Sequence, residues 1–231
     1  TFIGALLFTS TAMGQNEAHL QNIKQLTFGG DNAEAYFSPD GKKLSMQSNY
    51  KAWGNDCDQI YDVTIADAAK DSTYKPTRIS NGKGRTTCSY YMPDGNHILY
   101  ASTYKGGDKC PETGDLRKVG KYLWPIFASY DIYVADLKGN ITKQLTDSPG
   151  YDAEATVSPK GDKIVFTSTR SGDLELWTMN IDGTGAKQVT HDLGYDGGAF
   201  FSPDGKKLVF RASRPKTEEE IKTTTKHKTT K

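Results

Sequence analysis

One short phrase returns along this chain and limits what it can fold into. Residues 37–43 read Phe-Ser-Pro-Asp-Gly-Lys-Lys, and residues 201–207 read the same seven letters. Between them stand Tyr-Met-Pro-Asp-Gly at 91–95 and Val-Ser-Pro-Lys-Gly at 157–161. Proline sets φ for the second turn position, aspartate bonds its own backbone, and glycine takes positive φ without steric cost. Apolar runs flank the copies, as in Ala199-Phe200-Phe201 before the last and Leu208-Val209-Phe210 after it. The phrase therefore predicts a hairpin turn between two strands of a repeated unit.

The turn prolines, Pro39, Pro93, Pro159 and Pro203, lie 54, 66 and 44 residues apart. A second phrase keeps step with the first. It reads Lys24-Gln25-Leu26-Thr27, Lys143-Gln144-Leu145-Thr146 and Lys187-Gln188-Val189-Thr190, with Thr77-Arg78-Ile79-Ser80 as a looser copy. The shortest spacing falls in the ~40–45 residues of a four-stranded propeller blade. The longer spacings then require insertions in two blades. One blade reads cleanly, with strands at 153–157, 163–169, 174–180 and 186–190 and an Asp182-Gly183 turn before the last. Ile164, Phe166, Leu176, Trp177 and Met179 supply its buried faces. No stretch of this region keeps a helical period with caps.

The order Gln-Leu-Thr, Ser-Pro-Asp-Gly-Lys-Lys, apolar strand, Ser-x-Arg, Leu-x-Leu-Trp, Asp-Gly resembles the TolB-like, WD-related β-propeller repeat. Residues 147–190 carry nearly all of it, through Ser158-Pro159-Lys160-Gly161, Ser168-Thr169-Arg170, Leu174-Glu175-Leu176-Trp177 and Asp182-Gly183. The resemblance spans roughly 21–215 and implies an all-β propeller of four-stranded antiparallel blades. It is expected as an incomplete arc of about three and a half blades: 34–80, 87–146, 153–190 and a partial fourth at 198–213. A ring of roughly four to eight blades would be needed to cover the edges, so the chain reads as a fragment of a longer protein. Residues 21–27 are expected as a lone outer strand, of the kind that completes the last blade in similar propellers. The resemblance also implies function, but not one function. TolB is periplasmic and binds protein partners, whereas other propellers of this class gate the substrates of prolyl-oligopeptidase-like enzymes. Fold does not choose between them.

Residues 1–14 read as the remnant of a signal peptide, an apolar run ending in small residues with Ala12 and Gly14 placed for cleavage before Gln15. The run is too short to span a membrane, and no other run comes close, so no membrane span is expected in the mature chain. Residues 216–231 read as a low-complexity, disordered tail that at most starts a short helix; its five lysines face three glutamates. That tail is the sole basic run in a chain of net charge +1, which argues against nucleic-acid binding.

In a propeller, the loops joining strand d to the next strand a, and strand b to strand c, share one face, and strand a lines the channel. Three equivalent d–a segments, 31–35, 150–155 and 194–199, bring Glu34, Asp152, Glu154 and Asp196 towards one rim. The second blade offers Arg85 instead. Arg170 and Arg214 stand at equivalent strand-b ends on the same face, and His191 begins a d–a loop. Converging carboxylates with an arginine can clasp a basic peptide, an amine or a divalent cation such as Ca²⁺. The competing expectation is that each aspartate bonds backbone amides of its own turn or pairs with an arginine of the neighbouring blade. Two b–c insertions rise from this face, 50–58 with Trp53 and 104–130 with Tyr122, Trp124 and Phe127. They act either as a lid or partner patch, or only as packing on their own blades. Cys57, Cys88 and Cys110 also map here. In an exported chain they favour a disulfide with one thiol left over; the expected pair is Cys88–Cys110.

Catalysis finds little support. No G-x-S-x-G elbow, no HExxH pair and no phosphate-binding glycine loop occurs. The expected function is therefore an exported, non-catalytic scaffold, without cofactor, binding a protein or peptide on the d–a/b–c face. The alternatives are the gating propeller of a peptidase and a metal-assisted propeller lyase or hydrolase.

Overall fold

The computed structural model describes residues 19–113 and 124–229. The apolar stretch at 1–14 and Tyr122 lie outside the described residues. Three antiparallel four-stranded meanders follow one another in chain order. The first is β1 (Asn32–Phe37), β2 (Lys43–Ser48), β3 (Gln59–Thr64) and β4 (Thr77–Arg78). The second is β5 (Thr86–Tyr91), β6 (His97–Ser102), β7 (Asp131–Asp136) and β8 (Ile141–Gln144). The third is β9 (Asp152–Val157), β10 (Lys163–Ser168), β11 (Glu175–Asn180) and β12 (Lys187–Gln188). A fourth sheet holds β13 (Tyr195–Phe201) and β14 (Leu208–Ser213). A short α1 (Ile65–Ala68) follows β3, and α2 (Glu218–Thr229) follows β14. The first strands of neighbouring sheets pack on one another, which makes an open propeller arc.

The repeated phrase makes the turn that its residues dictate. Ser38 N–H donates to Lys43 O at 2.9 Å, Gly41 takes φ +69°, and the Asp40 carboxylate accepts from Ser38 Oγ at 2.6 Å and Lys42 N–H at 3.1 Å. The turn at 202–207 repeats these bonds. In the third blade Lys160 replaces the aspartate, and Asp162 accepts from Ser158 Oγ instead, at 2.8 Å. In the second, Met92 replaces the serine, and Asp94 turns to the Asn96 and His97 amides and to the His97 ring. These turns also join blades. A Cβ on Gly161 would sit 2.6 Å from Pro93, and one on Gly95 would touch Pro39 at 4.0 Å. The proline of one blade thus rests against the turn glycine of the next.

The second phrase has an equally local meaning. Gln25, Gln144 and Gln188 each donate their side-chain amide to the carbonyl two residues on, at 2.7, 2.7 and 2.8 Å. Thr146, Thr190 and Ser80 then accept strand-c amides from Ile132, Leu176 and Ile60. Residues 21–27 correct the expected outer strand. They form no ladder, although Gln25 keeps the local bond and Leu26 packs on Met46, Tyr61 and Val63 of the first blade. No strand lies beside this segment to pair with it among the described residues.

The core is divided among blade interfaces. Ile60 and Ile79 of the first blade meet Ile98, Tyr100 and Tyr133 of the second. Leu99, Ile132 and Leu145 of the second meet Val157, Ile164 and Phe166 of the third. Val165 and Leu176 meet Ala199 of the fourth sheet. The far side of β14 is bare, with Val209 68% exposed.

The tail corrects a second expectation, since helix replaces disorder over 218–229. The reason is a capping box: Thr217 Oγ1 accepts the Glu220 N–H at 3.2 Å, and Glu220 Oε2 accepts the Thr217 N–H at 2.9 Å.

Candidate functional site

The first strands are not regular. β1, β5, β9 and β13 each slip register once against their partner. At the slip stand Glu34, Cys88, Glu154 and Gly198, all with positive φ, from 48° to 60°. These are bulges, and each leaves a backbone N–H outside the ladder. At Cys88, Glu154 and Gly198 the neighbouring blade satisfies it. Gln47 Oε1 of the first blade accepts the Cys88 N–H at 3.1 Å. Glu154 Oε2 of the third accepts the Gly198 N–H at 2.8 Å, together with the Tyr195 hydroxyl at 2.9 Å and Thr167 Oγ1 at 2.7 Å. The Cys88 sulfur lies against the Glu154 N–H, and burial pushes its thiol far above the usual range. Gly197 keeps the seat open, because a Cβ there would collide with the Glu154 carboxylate. Sequence reading placed Glu34 and Glu154 on a rim but did not see the bulge, which has no signature of its own beyond the glycine at 198.

The converging acidic rim does not form. Asp152 is 1% exposed and receives Arg170 at 2.7 Å within its own blade. Arg170 also donates to Ser168 Oγ and lies 5.1 Å from the Phe166 ring and 5.0 Å from the Trp177 ring. Asp196 is fully buried and takes both guanidinium nitrogens of Arg214, at 2.6 and 2.9 Å. Burial raises the Asp152 carboxyl above its ordinary value, with Arg170 and the Ser168 hydroxyl opposing. The aspartates therefore tie strand a to the end of strand b. Glu34 remains exposed and accepts from the Tyr36 hydroxyl, and His191 is exposed. Among the described residues, no group of three or more His, Cys, Asp or Glu could hold a metal.

The cysteines also correct the expectation. Cys57 pairs with Cys110, at a Cα separation of 5.9 Å, and Cys88 is free. Cys88 sits inside β5 with its side chain against Glu154, so it does not reach the insertion. The bond joins the b–c insertion of the first blade to that of the second, rather than fixing the second to itself. The aromatic insertions divide. Phe127 packs with Tyr130, Tyr151 and Ala153, and Trp53 meets Tyr50 edge-on at 5.3 Å and Tyr61 at a tilt at 5.0 Å. Trp124 instead lies over the Arg85 guanidinium, 5.9 Å from Cζ to ring centre.

Arg85 differs from the other two arginines of this face. Its nearest carboxylate, Asp58 across the blade boundary, stands 3.7 Å away, and its Nε is buried without a partner. It lines a cavity of about 270 Å³ with Asn49, Tyr50, Lys51, Asp56 and Cys57. Burial raises the Asp58 carboxyl above its ordinary value, with Arg85 opposing. Arg85 is thus the arginine of this face least engaged by a carboxylate, and it stands beside the disulfide.

The comparisons with known proteins fit this geometry. The TolB beta propeller domain matches residues 128–231. An uncharacterized protein of Agrobacterium fabrum is 32% identical over 132 residues, which is 57% of this chain and 34% of the relative; the chain thus spans about a third of that relative. The crystal structure of TolB from Acinetobacter baumannii aligns with a TM-score of 0.54 at 20% identity, over 81% of this chain and 39% of that one. A puromycin-hydrolyzing peptidase of Mycobacterium tuberculosis aligns with a TM-score of 0.52 at 13% identity, over 80% of this chain and 28% of that one. At these identities both structures speak for the fold alone. In repeat pattern and in fold, the chain is similar to TolB-like β-propeller repeat proteins, and its residues 128–231 match that domain.

Proposed function

We propose that the chain is an exported, non-catalytic scaffold whose d–a/b–c face binds a protein or peptide through a carboxylate of the partner. The observation that carries this reading is Arg85. Arg170 and Arg214 are hydrogen-bonded to buried aspartates at 2.7 and 2.6 Å, whereas Arg85 reaches Asp58 only at 3.7 Å, keeps a buried, unpartnered Nε and lines a cavity. An arginine fork with one free edge suits a C-terminal or side-chain carboxylate. Trp124 and Tyr50 supply aromatic surface around it, of the kind that anchors interfaces. The disulfide holds both insertions in place before the partner arrives, which lowers the ordering cost of binding. It also suits an oxidising compartment, periplasmic or secreted, as does the apolar stretch at 1–14. Among the described residues no helix is long and apolar enough to cross a membrane.

The test is a panel of labelled peptides with free or amidated C-termini, read by fluorescence anisotropy. Free-carboxylate peptides should bind more tightly than their amides. Arg85→Gln should erase that preference, while Arg211→Gln on exposed β14 should leave it. Equal binding of both peptide forms to the unaltered chain would overturn the reading.

A further inference from the structure

A second cavity lies between the first two blades. It measures about 510 Å³, within the ~300–1,000 Å³ of small-molecule sites. One wall is the strand-d segment of the first blade, with Lys75, Arg78 and Ser80; the other is the c–d turn of the second, with Lys138. Trp53 lines it as well.

Its charge is one-sided. Lys75, Arg78 and Lys138 all line it, and no carboxylate does. The chain as a whole is almost neutral, at +1. Elsewhere cations that sit near acids are paired with them, as in Lys43–Asp62, Lys83–Asp108, Arg170–Asp152 and Arg214–Asp196. Lys75, Arg78 and Lys138 enter no such pair among the described residues. The acid nearest in sequence, Asp136, is occupied within its own turn by the Lys138 and Asn140 amides and the Asn140 side chain. Three like charges gathered without a counter-charge repel one another, so an anion is the ligand that relieves them.

The walls are held firmly. Gly139, at φ +87°, lies so close that a Cβ would stand 3.3 Å from Ile79 O and 3.4 Å from Arg78 O. That approach docks the second blade's turn directly on the backbone of Arg78. Gly82 clears the space on the other side, since a Cβ there would meet the Arg78 guanidinium at 2.9 Å. Ser80 is fully engaged, accepting the Ile60 N–H and donating to Gln59. Trp53 is fixed edge-on against Tyr50 and tilted against Tyr61. The cavity therefore combines a forked donor, two point charges and an aromatic side chain.

We propose that this cavity binds a small organic phosphate, with the phosphoryl oxygens on Arg78, Lys75 and Lys138 and the organic part against Trp53. A dianionic phosphoryl group matches three cations better than a single carboxylate does, and the arginine fork suits two of its oxygens. The site is independent of Arg85 and of the peptide-binding reading.

Phenyl phosphate and inorganic phosphate are the probes, titrated into the chain by calorimetry at 150 mM salt so that diffuse surface attraction is screened. Phenyl phosphate should bind with one-to-one stoichiometry and more tightly than inorganic phosphate. Arg78→Ala and Lys138→Ala should each weaken it at least about tenfold, as expected for lost charge-assisted bonds. Trp53→Leu should bring phenyl phosphate down to inorganic phosphate while leaving the latter unchanged. Arg85→Gln should alter neither. Vesicles of phosphatidylglycerol and an acidic peptide are run as competitors. Absence of saturable phenyl phosphate binding, binding unaffected by Arg78→Ala, or preferential capture of the vesicles or the peptide would each overturn the proposal.

Discussion

Glu154 shows how much one side chain does in this fold. A non-glycine residue in the left-handed region costs roughly 1 kcal/mol, yet Glu154 stands there at φ 57°. Its carboxylate repays that strain by taking the Gly198 N–H, the Tyr195 hydroxyl and the Thr167 hydroxyl at once. Glu154→Ala would leave the strain and strip all three donors, so we expect a loss of about 2–3 kcal/mol in urea unfolding. Glu154→Gly would lose the same bonds but relieve φ, and should fall about 1 kcal/mol less. Asp131 makes the opposite case. Burial pushes its carboxyl up to about 6, helped by the nearby Asp152 and Asp147 charges and opposed by the Thr146 hydroxyl. The folded state therefore holds a proton that the unfolded chain has already released. Stability falls as pH rises from the ordinary carboxyl value through about 6, and the full penalty stands above it. Asp131→Asn should thus stabilise the chain by about 1 kcal/mol at pH 7.5, after allowing for its partial exposure. At pH 3.5 the variant and the parent should agree, and an equal gain at both values would show that charge is not the cause.

At the scale of elements, the repeated turn joins local geometry to blade packing. Gly41 and Gly161 occupy the same turn position, with φ of 69° and 71°. A Cβ at Gly41 meets open space, whereas one at Gly161 meets Pro93 at 2.6 Å. Gly41→Ala should therefore carry the backbone cost alone, about 1 kcal/mol. Gly161→Ala should add about 1–2 kcal/mol more, from forced separation of two blades. Equal losses would deny the turn any part in blade contact. The turn itself was legible because Pro, Asp and Gly each act within a few residues. So were the strands of the third blade, whose structured bounds differ by a residue or two from the sequence reading. The Gln-x-Thr phrase showed its period but not its purpose, a side-chain bond that repeats even at 25–27 where no ladder forms. The α2 capping box was present as Thr217 and Glu220, but low complexity hid it. The acidic rim misled because periodicity places residues on a face without saying which face partner is a buried cation. The competing expectation had each aspartate pair with an arginine of the neighbouring blade; Asp152 and Asp196 pair instead with Arg170 and Arg214 of their own sheets.

At the scale of the whole molecule, an open arc lacks the mutual support of a closed ring, and each blade is held only by those beside it. The Cys57–Cys110 bond acts at this level because it crosses a blade boundary. Its span of 53 residues, on the chain-entropy account, corresponds to about 4 kcal/mol removed from the unfolded state. Sequence reading chose Cys88 instead, since nothing in the spacing reveals that Cys88 lies at a bulge facing Glu154. The pairing has a clear chemical consequence. Alkylation under denaturing, non-reducing conditions should label Cys88 alone, and a peptide map should recover Cys57 linked to Cys110. The double substitution Cys57→Ser and Cys110→Ser should lower stability by about 2–4 kcal/mol. It should also free the two insertions that frame Arg85, so free-carboxylate peptides should bind more weakly although no contacting side chain has changed. Phenyl phosphate binding at Arg78 should change less, because the cations of that cavity stand on the strand-d segment and the turn at 136–140, and only Trp53 comes from a bridged loop. A parallel loss at both places would mean that the blades separate as units when the bridge is absent, and that the disulfide holds the arc together rather than shaping one face of it.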